Sequence, residues 1–94
     1  MTEIKDFKKA VNEFIKKVNG QCTVCNQHIR IKEQSFAKMR GLKTSWGRYE
    51  LSLFIPKEIT FVISYLHITS YYAHKNGVEI NLDNERVISI RGIE

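Results

Sequence analysis

The spacing of apolar residues shifts from helical to alternating along this chain, and that shift confines the fold to a mixture of helix and sheet. Ile4, Phe7, Val11, Phe14, Ile15 and Val18 recur at helical spacing and form one stripe. Thr2 is suited to cap the start, and Asn19-Gly20 supplies a left-handed stop. Lys5, Lys8, Lys9, Lys16 and Lys17 then ride a solvated face, balanced in part by Glu3, Asp6 and Glu13. From His28 the spacing becomes two. Ile29 and Ile31 point one way while His28, Arg30 and Lys32 point the other. Glu33-Gln34 is expected to turn the chain, residues 35–40 to return as a strand, and residues 41–47 to form a loop. Residues 48–55 read as a further strand, with Tyr49, Leu51, Leu53 and Ile55 inward.

Residues 56–75 admit two readings. Thr60, Phe61, Val62, Ile63, Tyr65 and Ile68 favour strands by propensity. On a helical wheel, Lys57, Thr60, Ser64, His67, Tyr71, His74 and Lys75 gather within an arc of about 100°. Simple alternation sorts the segment poorly, because Val62 and Leu66 would oppose Ile59 and Ile63. Pro56 suits a first helical position and Asn76-Gly77 a C-terminal cap, so a largely buried helix is expected. A hairpin follows: Val78, Ile80 and Leu82 alternate, Asp83-Asn84 turns, and Val87, Ile88 and Ile90 return. The expected fold is thus one small α+β domain over residues 1–94. It comprises an N-terminal helix, an antiparallel β-meander, a second, mostly buried helix and a C-terminal β-hairpin.

At 94 residues, with 43% hydrophobic and 27% charged side chains, the chain suits one globular domain. No apolar run approaches the roughly 20 residues that span a bilayer. The N-terminal residues lack the apolar centre of a signal peptide, so a cytoplasmic, soluble protein is expected.

The net charge of +5 is concentrated. Residues 28–48 hold six basic side chains (Arg30, Lys32, Lys38, Arg40, Lys43, Arg48) against Glu33, and six less one is the charge of the whole chain. Such a one-sided field attracts polyanions. If Arg30, Lys32, Lys38 and Arg40 share one face of a two-stranded ribbon, they can track a phosphate backbone. Phe36 and Trp46 would stack on bases, and Lys43 and Arg48 would flank the glycine-bounded loop. Against that, basic patches also serve solubility or acidic protein partners, and Trp46 is equally suited to anchor a loop in the core.

Just before this stretch lies Cys22-Thr23-Val24-Cys25. In a tight turn this spacing aims two sulfurs at one point, and His28 is placed to add a third ligand for zinc. Strong zinc signatures carry two such pairs, and this chain has one pair and a histidine. Free buried thiols, a redox pair and a disulfide are the competing readings.

His67, Tyr71 and His74, with Ser64 and Lys57, would line one face of the expected helix, an arrangement open to acid–base chemistry in a small nuclease. No carboxylate, phosphate loop or Mg²⁺ cluster orients them in sequence, so a non-catalytic role is expected. The favoured expectation is a small basic nucleic-acid-binding module pinned by a zinc knuckle. The alternative is a protein-interaction module, such as an accessory subunit or a viral or mobile-element inhibitor of a host nucleoprotein complex. Edge-to-edge pairing into a homodimer is compatible with either.

Overall fold

A computed structural model describes residues 4–93. The order is α1 (Ile4–Lys17), β1 (Gln21–His28), β2 (Glu33–Arg40), β3 (Lys43–Trp46), β4 (Glu50–Ile55), β5 (Ile59–Ser64), a 3₁₀ turn (Tyr65–His67), β6 (Ile68–His74), β7 (Gly77–Leu82) and β8 (Arg86–Gly92). All strand pairs are antiparallel. Sheet A runs β2-β1-β8-β7-β6, and sheet B runs β3-β4-β5. The α+β class expected from the spacing change is observed, with one α-helix among the described residues instead of two.

The first helix forms as its stripe requires, burying Phe7, Val11 and Phe14. Asn19 and Gly20 both take positive φ, and the Gly20 amide closes back on the Ile15 carbonyl at 2.9 Å, which stops the helix. Thr2, expected to cap the start, lies outside the described residues. The C-terminal hairpin also forms, turning through Asn84 and Glu85 in left-handed conformation. Gly77 lets β7 lie against β8, since a Cβ there would run into the Ile90 carbonyl oxygen.

The expected second helix is overturned. Residues 59–74 form two strands belonging to different sheets, joined by the 3₁₀ turn. Pro56 begins the β4–β5 turn, with Lys57 at φ 63° and the Glu58 amide bonded to the Ile55 carbonyl. Alternation fails across the segment because its phase is reset twice. Phe61 and Ile63 face inward on β5 and Ile68 on β6; a register shift between Ile68 and Ser70 then turns Tyr71 and Ala73 inward. Val62 and Leu66, whose opposition to Ile59 and Ile63 argued against strands, do point to solvent, at 57% and 87% exposed.

Two boundaries also move. The first strand begins at Gln21 and ends at His28, so Ile29–Lys32 is the turn and both isoleucines are exposed at its tip. The expected loop at 41–47 contains β3, reached where the Gly41 and Leu42 amides both bond the Gly20 carbonyl. There the chain crosses from sheet A to sheet B. One core joins α1, the inner face of sheet A (Cys22, Val24, Met39, Val78, Ile80, Ile90) and the inner face of sheet B (Leu51, Leu53, Ile63). No helix among the described residues is long and apolar enough to cross a membrane.

Candidate nucleic-acid interface

Since α1 and sheet B occupy one side of sheet A, its other side is open to solvent. On β2 this outer face carries Gln34, Phe36, Lys38 and Arg40, all exposed. Strand register extends it into rows across the sheet. Lys38 stands opposite Thr23, Thr23 opposite Arg91, Arg91 opposite Gly77, and Gly77 opposite His74. The neighbouring row is Phe36, Cys25, Ser89, Glu79 and Tyr72. A broken line of cations therefore runs beside a row with an exposed aromatic ring at each end, about 19 Å apart across four strand spacings. Phe36 is 65% and Tyr72 61% exposed. Tyr72 also leans on the His74 ring at 5.5 Å.

At the end of β8 the cationic row meets a depression of about 570 Å³, where Lys17 and Lys75 join Arg91. The Lys17 ammonium donates to the Lys75 carbonyl at 3.4 Å. Arg91 reaches Glu79 at 3.4 Å, with both side chains in water. A solvated pair of this kind contributes about 0–1 kcal/mol.

The basic side chains singled out from sequence divide among three surfaces. Lys38 and Arg40, with Phe36, lie on the open face of sheet A. Arg30 and Lys32 stand at the tip of the β1–β2 hairpin. Lys43 is on the outer face of sheet B and Arg48 in the turn after β3. None of the six is paired with a carboxylate among the described residues. Trp46 does not join them. Its ring packs edge-on against Phe7 at 5.5 Å and its Nε1–H donates to Asn12 Oδ1 at 3.1 Å, where Thr44 also donates. It fastens β3 to α1. Arg91, Tyr72 and His74 were missed because they reach this face only through pairings between strands remote in sequence.

Cys22 and Cys25 do not form a turn. They lie within β1, three residues apart, and so project to opposite faces: Cys22 is buried in the core and Cys25 half-buried on the open face. His28 shares the Cys22 face but stands about 20 Å further along the strand. One ion cannot be held by all three. Among the described residues no group of three His, Cys, Asp or Glu side chains is placed to hold a metal.

Of the residues weighed for catalysis, His67 Nδ1 is 2.9 Å from Asp83 Oδ2, both exposed. Tyr71 turns inward onto Phe7, with ring centroids 5.2 Å apart, and His74 faces the other way. The shared helical face that would have gathered them does not exist. No family model, curated protein or solved structure matches this chain.

Proposed function

We propose that the protein is a non-catalytic module that binds single-stranded nucleic acid across the open face of sheet A. The observation that carries this reading is the placement of Phe36, Lys38 and Arg40 side by side on one exposed strand, with Arg91 in the same row as Lys38 two strands away, across Thr23. Successive side chains on that face of β2 are about 7 Å apart, a spacing suited to an extended strand. The five-stranded face, about 19 Å across, is wider than a duplex major groove of roughly 12 Å, but unpaired bases can lie on it and stack. Phe36 stacks one base, Lys38, Arg40 and Arg91 hold phosphates, and the amides of Gln27 and Gln34 offer sequence-tolerant hydrogen bonds.

Fluorescence anisotropy with labelled oligouridylate and oligothymidylate tests this. Three phosphate contacts predict a log–log salt slope near about −2 for a single strand. Lys38→Gln, Arg40→Gln and Arg91→Gln together abolish binding at moderate salt. Phe36→Ala weakens it by about 1–3 kcal/mol, and Lys43→Gln, on the other sheet, leaves it unchanged. No binding at low salt would sink the proposal.

A second reading is supported by a different observation. β2 is an edge strand of eight residues whose two faces are both exposed over residues 33–36. An extended segment of a protein partner can add to such an edge through main-chain hydrogen bonds. This protein-interaction reading predicts that Gln34→Pro, which removes an amide facing the free edge, abolishes partner binding while the Lys38 and Arg91 variants do not.

A further inference from the structure

The inner face of sheet A is built in two halves. Under the helix it is apolar, with Cys22, Val24, Met39 and Ile90 buried. Further along the same strands, on the same face, it turns polar: Asn26 and His28 on β1, Ser35 and Glu33 on β2, Arg86 on β8. Glu33, His28 and Arg86 are direct register partners on three neighbouring strands. A carboxylate, an imidazole and a guanidinium thus stand in one row, about 5 Å apart at the backbone. This half opens into a depression of about 1140 Å³. That is ample room for a ligand of nucleotide size.

Two groups here have unmet hydrogen-bonding capacity. Arg86 is half-buried and donates once, to Asn26 Oδ1 at 3.2 Å. It has no carboxylate within ion-pair distance among the described residues. A guanidinium has five N–H donors in a fixed fork shaped for an oxyanion, so most of its capacity is unused. Beside it, His28 Nδ1 is buried without a partner, so the imidazole meets the depression by its other edge. Folding places these two side chains where an apolar pair would have extended the core. The carboxylates of Glu33 and Glu85 also border the depression. They oppose a bare anion, but they accept hydrogen bonds from hydroxyl and amino groups. The complementary ligand carries a phosphate and hydrogen-bond donors together.

We propose that this depression binds a nucleoside monophosphate, free or as the phosphorylated end of a strand. Arg86 holds the phosphate with His28 beside it, and Glu33 accepts from the sugar or base. Arg86, His28 and Glu33 lie on the opposite face of sheet A from Lys38 and Arg91, and Gln34, at the rim of the depression, is shared with the interface proposed above.

The test is titration of the isotope-labelled protein by two-dimensional NMR at constant ionic strength. The probes are adenosine 5′-monophosphate, adenosine, inorganic phosphate, acetate, and a short oligonucleotide with and without a 5′-phosphate. The nucleotide is expected to give saturable shifts at residues 26–35 and 84–86, with adenosine and acetate each at least about tenfold weaker. Arg86→Gln weakens the nucleotide by about tenfold or more, and Lys38→Gln leaves it unchanged. Tighter binding of the 5′-phosphorylated oligonucleotide than of the mononucleotide identifies a strand end; the reverse identifies a free nucleotide. Arg86→Lys, which keeps the charge but loses the fork, serves if Arg86→Gln does not fold, and it too must weaken binding severalfold. Shifts that merely follow added chloride, equal affinity for adenosine or acetate, or indifference to both Arg86 variants would overturn the proposal.

Discussion

Burial pushes the Cys22 thiol up to about 11 from its ordinary 9.0, because the thiolate would sit in the apolar core beneath the helix. Three residues on, Cys25 is half-buried on the open face, with a Gln34 amide 3.7 Å from its sulfur. The two should therefore behave as different reagents. In the native protein an aromatic disulfide reagent labels one thiol, Cys25, and reaches Cys22 only after denaturation. The same burial predicts a pH effect whose sign follows from proton counting. Below pH 9.0 the thiol is protonated both folded and unfolded, and contributes no pH dependence. Between 9.0 and about 11 the unfolded chain loses a proton that the folded chain keeps, so stability falls as pH rises through this window. The loss approaches about 2 kcal/mol. Urea unfolding at about pH 8 and about pH 10.5 checks it, since Cys22→Val must show a smaller drop than the wild type. An equal drop in both would place the cause elsewhere.

At the scale of elements, what could be read from sequence was whatever kept one phase. The α1 stripe and the β7–β8 hairpin each hold a single periodicity from end to end, and both formed as expected. Residues 59–74 do not. Their two strands serve different sheets, and the 3₁₀ turn and the register shift after Ile68 each reset which parity faces inward. A helical wheel absorbs such mixed phases more easily than one alternating template does, so it fitted better for the wrong reason. Strand propensity carried the correct signal. The cysteine pair misled in a similar way, since C-x-x-C implies convergence only in a turn, and here it lies within a strand. These phases are open to direct mutation. On a buried helix Val62 and Ile63 would both be costly to charge. In β5 Val62 is 57% exposed and Ile63 2% exposed. Val62→Lys is therefore expected to change stability by no more than about 0.5 kcal/mol, whereas Ile63→Lys, which buries an unpaired ammonium, should cost at least about 3 kcal/mol or prevent folding. Thermal unfolding of the two variants decides between the geometries.

Over the whole molecule, charge that is dense along the chain becomes sparse in space. The basic window spans the crossing at Gly41 and Leu42, so its cations divide between the hairpin tip, the face of sheet A and the far side of sheet B. The field that remains on the open face depends on Arg91, which the window does not contain. It stands there because β8 pairs with β1 on one edge and β7 on the other, placing the last strand at the centre of sheet A. Neither pairing partner nor face could be read locally, because β1 and β8 are separated by most of the chain. The same pairing governs how the molecule opens. An amide in β8 faces a partner strand whichever way it points, and Ile88 and Ile90 are also buried in the common core. Freeing them requires breaking two ladders and the core together, which is global unfolding. β2 has one free edge, and over residues 33–36 neither of its faces is covered, so its outer half can fray alone. Hydrogen exchange followed by NMR should thus rank Val24, Ile80, Ile88 and Ile90 slowest, with rates set by the global stability. Ser35, whose amide bonds β1 opposite Asn26, should exchange faster by at least about two orders of magnitude, and Gln34 and Phe36, whose amides face the free edge, faster still. Binding of an oligonucleotide to the open face must slow Ile88 by the full factor that binding adds to global stability, and slow Ser35 by as much only where fraying of β2 destroys the bound surface. Protection of β2 equal to that of β8 in the free protein would mean its edge is already covered, and neither a strand-adding partner nor a frayed binding surface would remain.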